Sequence, residues 1–116
     1  MISETLPIYK DVVTLIETLI SYCADIPRFA RFTLAQKVIN NCTDLLDLVQ
    51  LTNSVPNREK RTEYMEEFIC KFTTIKTIIR ILHETNNLSH KQAGNIALIT
   101  ESIGKQATAW KKSFEQ

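Results

Sequence analysis

From Met65 to Leu82, apolar residues recur at alternating steps of three and four: Met65, Phe68, Phe72, Ile75, Ile79 and Leu82. No polar residue interrupts the stripe, so this segment reads as a helix with one face committed to a core. Burying each of these six side chains is worth ~1.5–3 kcal/mol, which makes the segment the strongest hydrophobic commitment in the chain. Tyr64, Ile78 and Ile81 flank the stripe, with Lys71 at the same heptad phase as Tyr64 and Ile78. A face this wide suggests a second contact, and Tyr64, Lys71, Ile78 and Ile81 are therefore expected at an interface between subunits. Lys71 would lay its stem along that surface and keep its ammonium in water.

The same periodicity continues on either side. A first helix begins near Pro7, a residue suited to a first turn, and ends before Pro27. Its buried face is expected to be Tyr9, Val12, Val13, Ile16, Leu19, Ile20 and Cys23, with Leu15 and Tyr22 to one side. A second helix starts at or soon after Pro27 and runs to about Leu51. Leu34, Val38, Cys42, Leu45 and Val49 form its main stripe, with Phe32, Ile39 and Leu46 on a second one. The stretch from Asn53 to Asn57, with Ser54 and Pro56, reads as a loop. The third helix then extends from Arg58 to about Thr85, and Asn86 and Asn87 break it. Ser89 is a fair N-cap for a fourth helix that buries Ile96, Ile99, Ile103, Ala107 and Trp110. Gly94, Ala97, Gly104 and Ala107 are small, which would let a neighbouring backbone approach. Four amphipathic helices with short connections predict an all-α, up-down-up-down antiparallel four-helix bundle, one domain over residues 1–116.

Composition agrees. Two glycines and three prolines in 116 residues leave no room for a turn-rich β fold or a glycine-rich phosphate loop. The apolar runs are far short of a membrane span, and the first ten residues do not resemble a leader, so the chain reads as cytoplasmic with no membrane partner. Cys23, Cys42 and Cys70 are widely spaced with no CxxC pair, and each falls on an apolar face, as buried free thiols would. His83 and His90 lie seven apart without further ligands, so no metal site or cofactor is expected. No serine, threonine or carboxylate has the setting of a nucleophile or a paired acid and base, so the chain does not read as an enzyme.

Charge changes the picture more. The net charge of +1 hides an acidic start, and from Phe68 onward seven bases face three acids. Between Phe68 and His83 there is no acid, only Lys71, Lys76 and Arg80. Arg28 and Arg31 open the second helix with Lys37 two turns on, and Lys105 and Lys112 lie seven apart on the fourth. Such a distribution suits an anionic partner bound through phosphates, without sequence readout.

Several segments in this order resemble a known family. They are Ile26-Pro27-Arg28, then Arg31-Phe32-Thr33-Leu34 and the bulky apolar helix that follows it, ending Asp44-Leu45-Leu46-Asp47-Leu48. Ile78-Ile79-Arg80-Ile81-Leu82, Leu88-Ser89-His90-Lys91-Gln92, Ile103-Gly104-Lys105 and Ala109-Trp110 follow. Together, from about Ile26 to Trp110, the chain is similar to the accessory variability determinants of diversity-generating retroelements. The resemblance implies a non-catalytic pentameric ring of four-helix bundles that binds a reverse transcriptase and RNA, with DNA as a further ligand, during mutagenic copying. The bases inside the matched segments, Arg28, Arg31, Lys37, Arg80, Lys91 and Lys105, are the contacts it implies, and Lys76 joins them from the acid-free run. Two alternatives stand beside it: the related bundles encoded in intervening sequences of ribosomal RNA genes, and a helical oligomer that only self-assembles.

Overall fold

The computed structural model describes residues 2–115. A 3₁₀ turn, Ser3–Thr5, leads into helix α1, Pro7–Cys23. Helix α2 spans 28–54 as three continuous segments, Arg28–Ala30, a π-helical turn at Arg31–Ala35, and Gln36–Ser54. Helices α3, Arg58–Glu84, and α4, His90–Ser113, complete an antiparallel bundle of 44 × 22 × 20 Å. Each helix packs against the two that adjoin it around the bundle, so α1 lies diagonally across from α3, and α2 from α4. The α1–α2 face and the α3–α4 face are therefore opposite sides of the molecule. Among the described residues, no helix is long and apolar enough to cross a membrane.

The central seam of α3 is buried as its spacing requires: Met65, Phe68, Phe72, Ile75, Ile79 and Leu82 all enter one core. The helix is bounded by local chemistry. The Asn57 side chain accepts a hydrogen bond from the Lys60 amide at 3.0 Å, an N-cap. At the other end the Asn86 amide donates to the His83 carbonyl, and the left-handed φ of 62° at Asn86 turns the next amide, that of Asn87, to the Leu82 carbonyl. Carbonyls orphaned by the helix end are thereby satisfied. Three residues later Ser89 caps α4 through a reciprocal pair, the Gln92 amide donating to Ser89 Oγ and the Ser89 amide to Gln92 Oε1, both at 3.0 Å.

Other expectations are corrected. In α1 the core takes Ile8, Val12, Leu15 and Leu19, whereas Ile20 is 56% exposed and Val13 only half-buried. The run is apolar on so many positions that its pattern admits two phases, and the packing selects the one with Leu15 innermost. In α2 the π turn holds one residue more than an α turn, so the inward positions step from Ala30 to Ala35 and then to Val38. Leu34 is left half-buried and Phe32 turns outward. Cys42 is buried and burial pushes its thiol up to about 12. Cys70 is exposed, because it lies on the far side of α3 from the seam, and Cys23 is half-buried. Neither glycine of α4 admits a neighbouring backbone: a Cβ at Gly94 would meet nothing within 4 Å, and one at Gly104 would meet the Phe72 ring at 3.6 Å.

The subunit-interface expectation also changes. Ile78 is only 6% exposed and belongs to the protomer's own core. Its flank of α3 is turned toward α2, the helix with which α3 packs most extensively. Tyr64 is half-buried against the same core, and Lys71 is tied to Asp44 of α2 at 3.5 Å. Of that set, Ile81 alone remains exposed.

Candidate nucleic-acid interface

Between α3 and α4 the outer surface forms an open groove. Its longer stretch, about 670 Å³, is lined by Lys76 from α3 and by Thr100, Glu101, Gly104, Lys105, Thr108 and Lys112 from α4. A shorter stretch of about 240 Å³ continues toward the α3–α4 turn, past Arg80 and His83. The two share Lys76, Ala97 and Thr100. Small side chains at 97 and 104 keep the floor low, and α4 repeats Lys105 and Lys112 on one side because seven residues are nearly two helical turns.

Four bases line this groove against one acid, Glu101. Lys105 pairs with Glu101 at 3.2 Å and Arg80 with Glu84 at 3.5 Å, but all four side chains are well exposed. Exposed i,i+4 pairs hold together by less than ~1 kcal/mol, so a polyanion can displace either carboxylate. Lys76 lies with its Nζ 5.0 Å from the centre of the Phe72 ring, which steadies the ammonium over the groove floor. Threonine hydroxyls beside lysines add uncharged donors suited to phosphate oxygens.

The fold thus brings Lys76, Arg80 and Lys105 together, from sequence positions up to 29 apart. Lys112 joins them, and its seven-residue spacing from Lys105 was the signal for it. The remaining expected contacts do not converge here. Arg28, Arg31 and Lys37 sit on α2, diagonally across the bundle from α4, because the π turn and the α2 seam orient that helix toward α1 and α3. Lys91 is exposed on the first turn of α4, outside the groove lining.

Arg31 has a structural task. Its guanidinium donates to the Ile26 carbonyl at 2.9 Å and the Ala24 carbonyl at 3.4 Å, closing the α1–α2 turn, and its Nε is buried without a partner. Burial raises the neighbouring Cys23 thiol, and the Arg31 charge offsets part of that rise. Arg28 is exposed and lies 5.7 Å from the Phe32 ring centre.

His83 Nε2 and His90 Nδ1 are 2.9 Å apart, joining the end of α3 to the start of α4. Nothing in their spacing connects them across a helix break, and the left-handed Asn86 is what folds them together. Among the described residues there is no cluster of three or more His, Cys, Asp or Glu that could hold a metal ion.

The structure is an all-helical four-helix bundle whose α3–α4 groove gathers Lys76, Arg80, Lys105 and Lys112. A family model described as bAvd-like matches residues 6–114, and the chain belongs to that family. It is thus a protein of the accessory variability determinant type, a family of accessory rather than enzymatic members. No curated protein and no solved structure matches.

Proposed function

We propose that this chain is the accessory subunit of a diversity-generating retroelement, and that it holds RNA phosphates in the α3–α4 groove while binding the reverse transcriptase. The observation that carries the reading is the convergence of Lys76, Arg80, Lys105 and Lys112 on one open channel with a single lining acid. Membership in the bAvd-like family supplies the retroelement context. Copied cDNA, with the same phosphate chemistry, is a further ligand of the groove. Each subunit contributes few bases, so a homo-oligomeric ring, a pentamer by family resemblance, raises affinity by presenting several grooves to one strand.

Reversing Lys105→Glu and Lys112→Glu together tests this. Both are surface residues, so the thermal midpoint should hold. RNA affinity in a filter-binding titration should fall at least tenfold, and the slope of log K against log salt should flatten by about 2, roughly one for each phosphate that the variant no longer neutralises. Lys37→Glu, on the diagonal helix, serves as the control. If the double variant binds RNA with wild-type affinity and salt slope, RNA binds elsewhere on the protein.

A further inference from the structure

The turn between α3 and α4 brings two imidazoles into direct contact, His83 Nε2 standing 2.9 Å from His90 Nδ1. A hydrogen bond between two ring nitrogens needs one N–H and one lone pair, so at least one of these rings is neutral. The helix ends assign the parts. His83 lies in the last turn of α3, at the negative end of that helix, which favours a donor there. His90 is the first residue of α4, at its positive end, which favours a lone pair. His83 Nε2–H is therefore the donor and His90 Nδ1 the acceptor.

This pair closes the end of the groove. His83 lines its shorter stretch beside Lys76 and Arg80, and His90 is exposed at the start of α4. The charged groups at this end of the bundle are mostly bases. Arg28 and Arg31 open α2, Lys76 and Arg80 precede His83 on α3, and Lys91 follows His90 on α4. The acids are Asp25, which accepts from the Gln92 side-chain amide at 3.4 Å, and Glu84, which pairs with Arg80 at 3.5 Å. Tyr22 and Cys23 at the end of α1 complete the titratable groups there. While the bases stay unneutralised, their field opposes further positive charge on the two rings. A phosphodiester seated in the groove reverses that balance, because it neutralises Lys76 and Arg80 and offers acceptor oxygens for charged donors.

We propose that the His83–His90 pair is a proton-linked phosphate contact: when RNA enters this end of the groove, the two rings exchange their mutual hydrogen bond for bonds to phosphate oxygens, and the pair takes up a proton. The balance is simple. His90 Nδ1, the acceptor in the free protein, gains a proton from solvent, and no covalent bond between heavy atoms forms or breaks. A protonated Nδ1 has no lone pair left for His83, so the nitrogens part and both N–H groups turn to the anion. Histidine changes charge between about pH 5 and 8, whereas a phosphodiester keeps its single charge throughout. Because the bound form holds more protons than the free one, RNA affinity rises as the pH falls through that range. This inference rests on the RNA reading above and adds its regulation by pH.

Binding of oligouridylate at constant salt tests it, since uridine carries no group that titrates between about pH 5.5 and 7.5 and any slope there comes from the protein. Wild-type affinity should rise with acidity, approaching roughly tenfold per pH unit for one proton taken up. His83→Gln and His90→Gln, each checked by circular dichroism for intact helices, should flatten that slope. In heteronuclear spectra of labelled imidazoles, His90 Nδ1 should change from a lone-pair signal to a protonated one when oligouridylate is added, with His90 Nε2 protonated as well. If wild type and both variants share one pH slope, the pair takes no part and the proposal falls. A wild-type affinity that does not vary with pH also overturns it, even where His90 Nδ1 becomes a donor, because a change of tautomer then supplies the donor without a proton. Either result leaves the groove reading intact, whereas oligouridylate that fails to bind at any pH removes both.

Discussion

Phe72 and Phe32 are the same residue on neighbouring helices, each on an apolar stripe of helical spacing, yet one is 3% exposed and the other 60%. The difference lies in the backbone beneath them. Around Phe72 the helix is a regular α-helix, so steps of three and four stay in phase with the core. Phe32 sits inside the π turn Arg31–Ala35, where one additional residue rotates everything before it relative to the α2 seam. Apolar spacing thus locates a buried face only where the helix is uniform. Where the turn widens, a bulky ring is carried to the surface and becomes available for binding.

Truncating the two rings should separate these regions most sharply. Phe72→Ala removes a ring that touches Phe68 and closes over Gly104, and it should cost ~3–5 kcal/mol in a denaturant titration. Phe32→Ala should change protomer stability by less than about 0.5 kcal/mol, as expected for an exposed site. A similar loss at both positions would mean that Phe32 is packed into the protomer after all.

Arg31 is the next test, because it anchors the π-turn corner. Arg31→Gln loses charge-assisted bonds to the carbonyls of residues 24 and 26 and should destabilise by ~1.5–3 kcal/mol. An unchanged denaturation midpoint would assign Arg31 to the surface role that its sequence context suggested.

The cysteines give the smallest signal and need no mutation. In native protein Cys70 should react with a thiol reagent at neutral pH while Cys42 stays protected, as its burial and raised pKa require. Burial lifts the Cys42 thiol from 9.0 to about 12, so between those values the unfolded chain releases a proton that the folded one keeps. Stability from this group is full below pH 9 and is lost as the pH rises toward 12. Equal labelling of Cys42 and Cys70 would show that the α2 seam opens readily.

Much of the candidate site was legible, but unevenly. The acid-free run pointed to Lys76 and Arg80, and the seven-residue repeat on α4 to Lys105 and Lys112, since residues on one helix keep a fixed angular relation. Arg31 misled because a guanidinium drawn into a turn has the same sequence signature as one facing a phosphate. His83 and His90 meet only through the left-handed residue between their helices.

By itself the sequence determined the four helices, their caps at Ser89 and the Asn86 turn, and the α3 seam from Met65 to Leu82. Those features depend on interactions within a few residues of the chain, through periodicity, capping and backbone preference. Tertiary structure alone decided which phase of the apolar-rich α1 faces inward, and that Ile78 joins the core. It also decided that α2 is diagonal to α4, which divides the basic residues between two sides of the molecule. Such outcomes depend on how four helices share one interior, and no single helix carries that information.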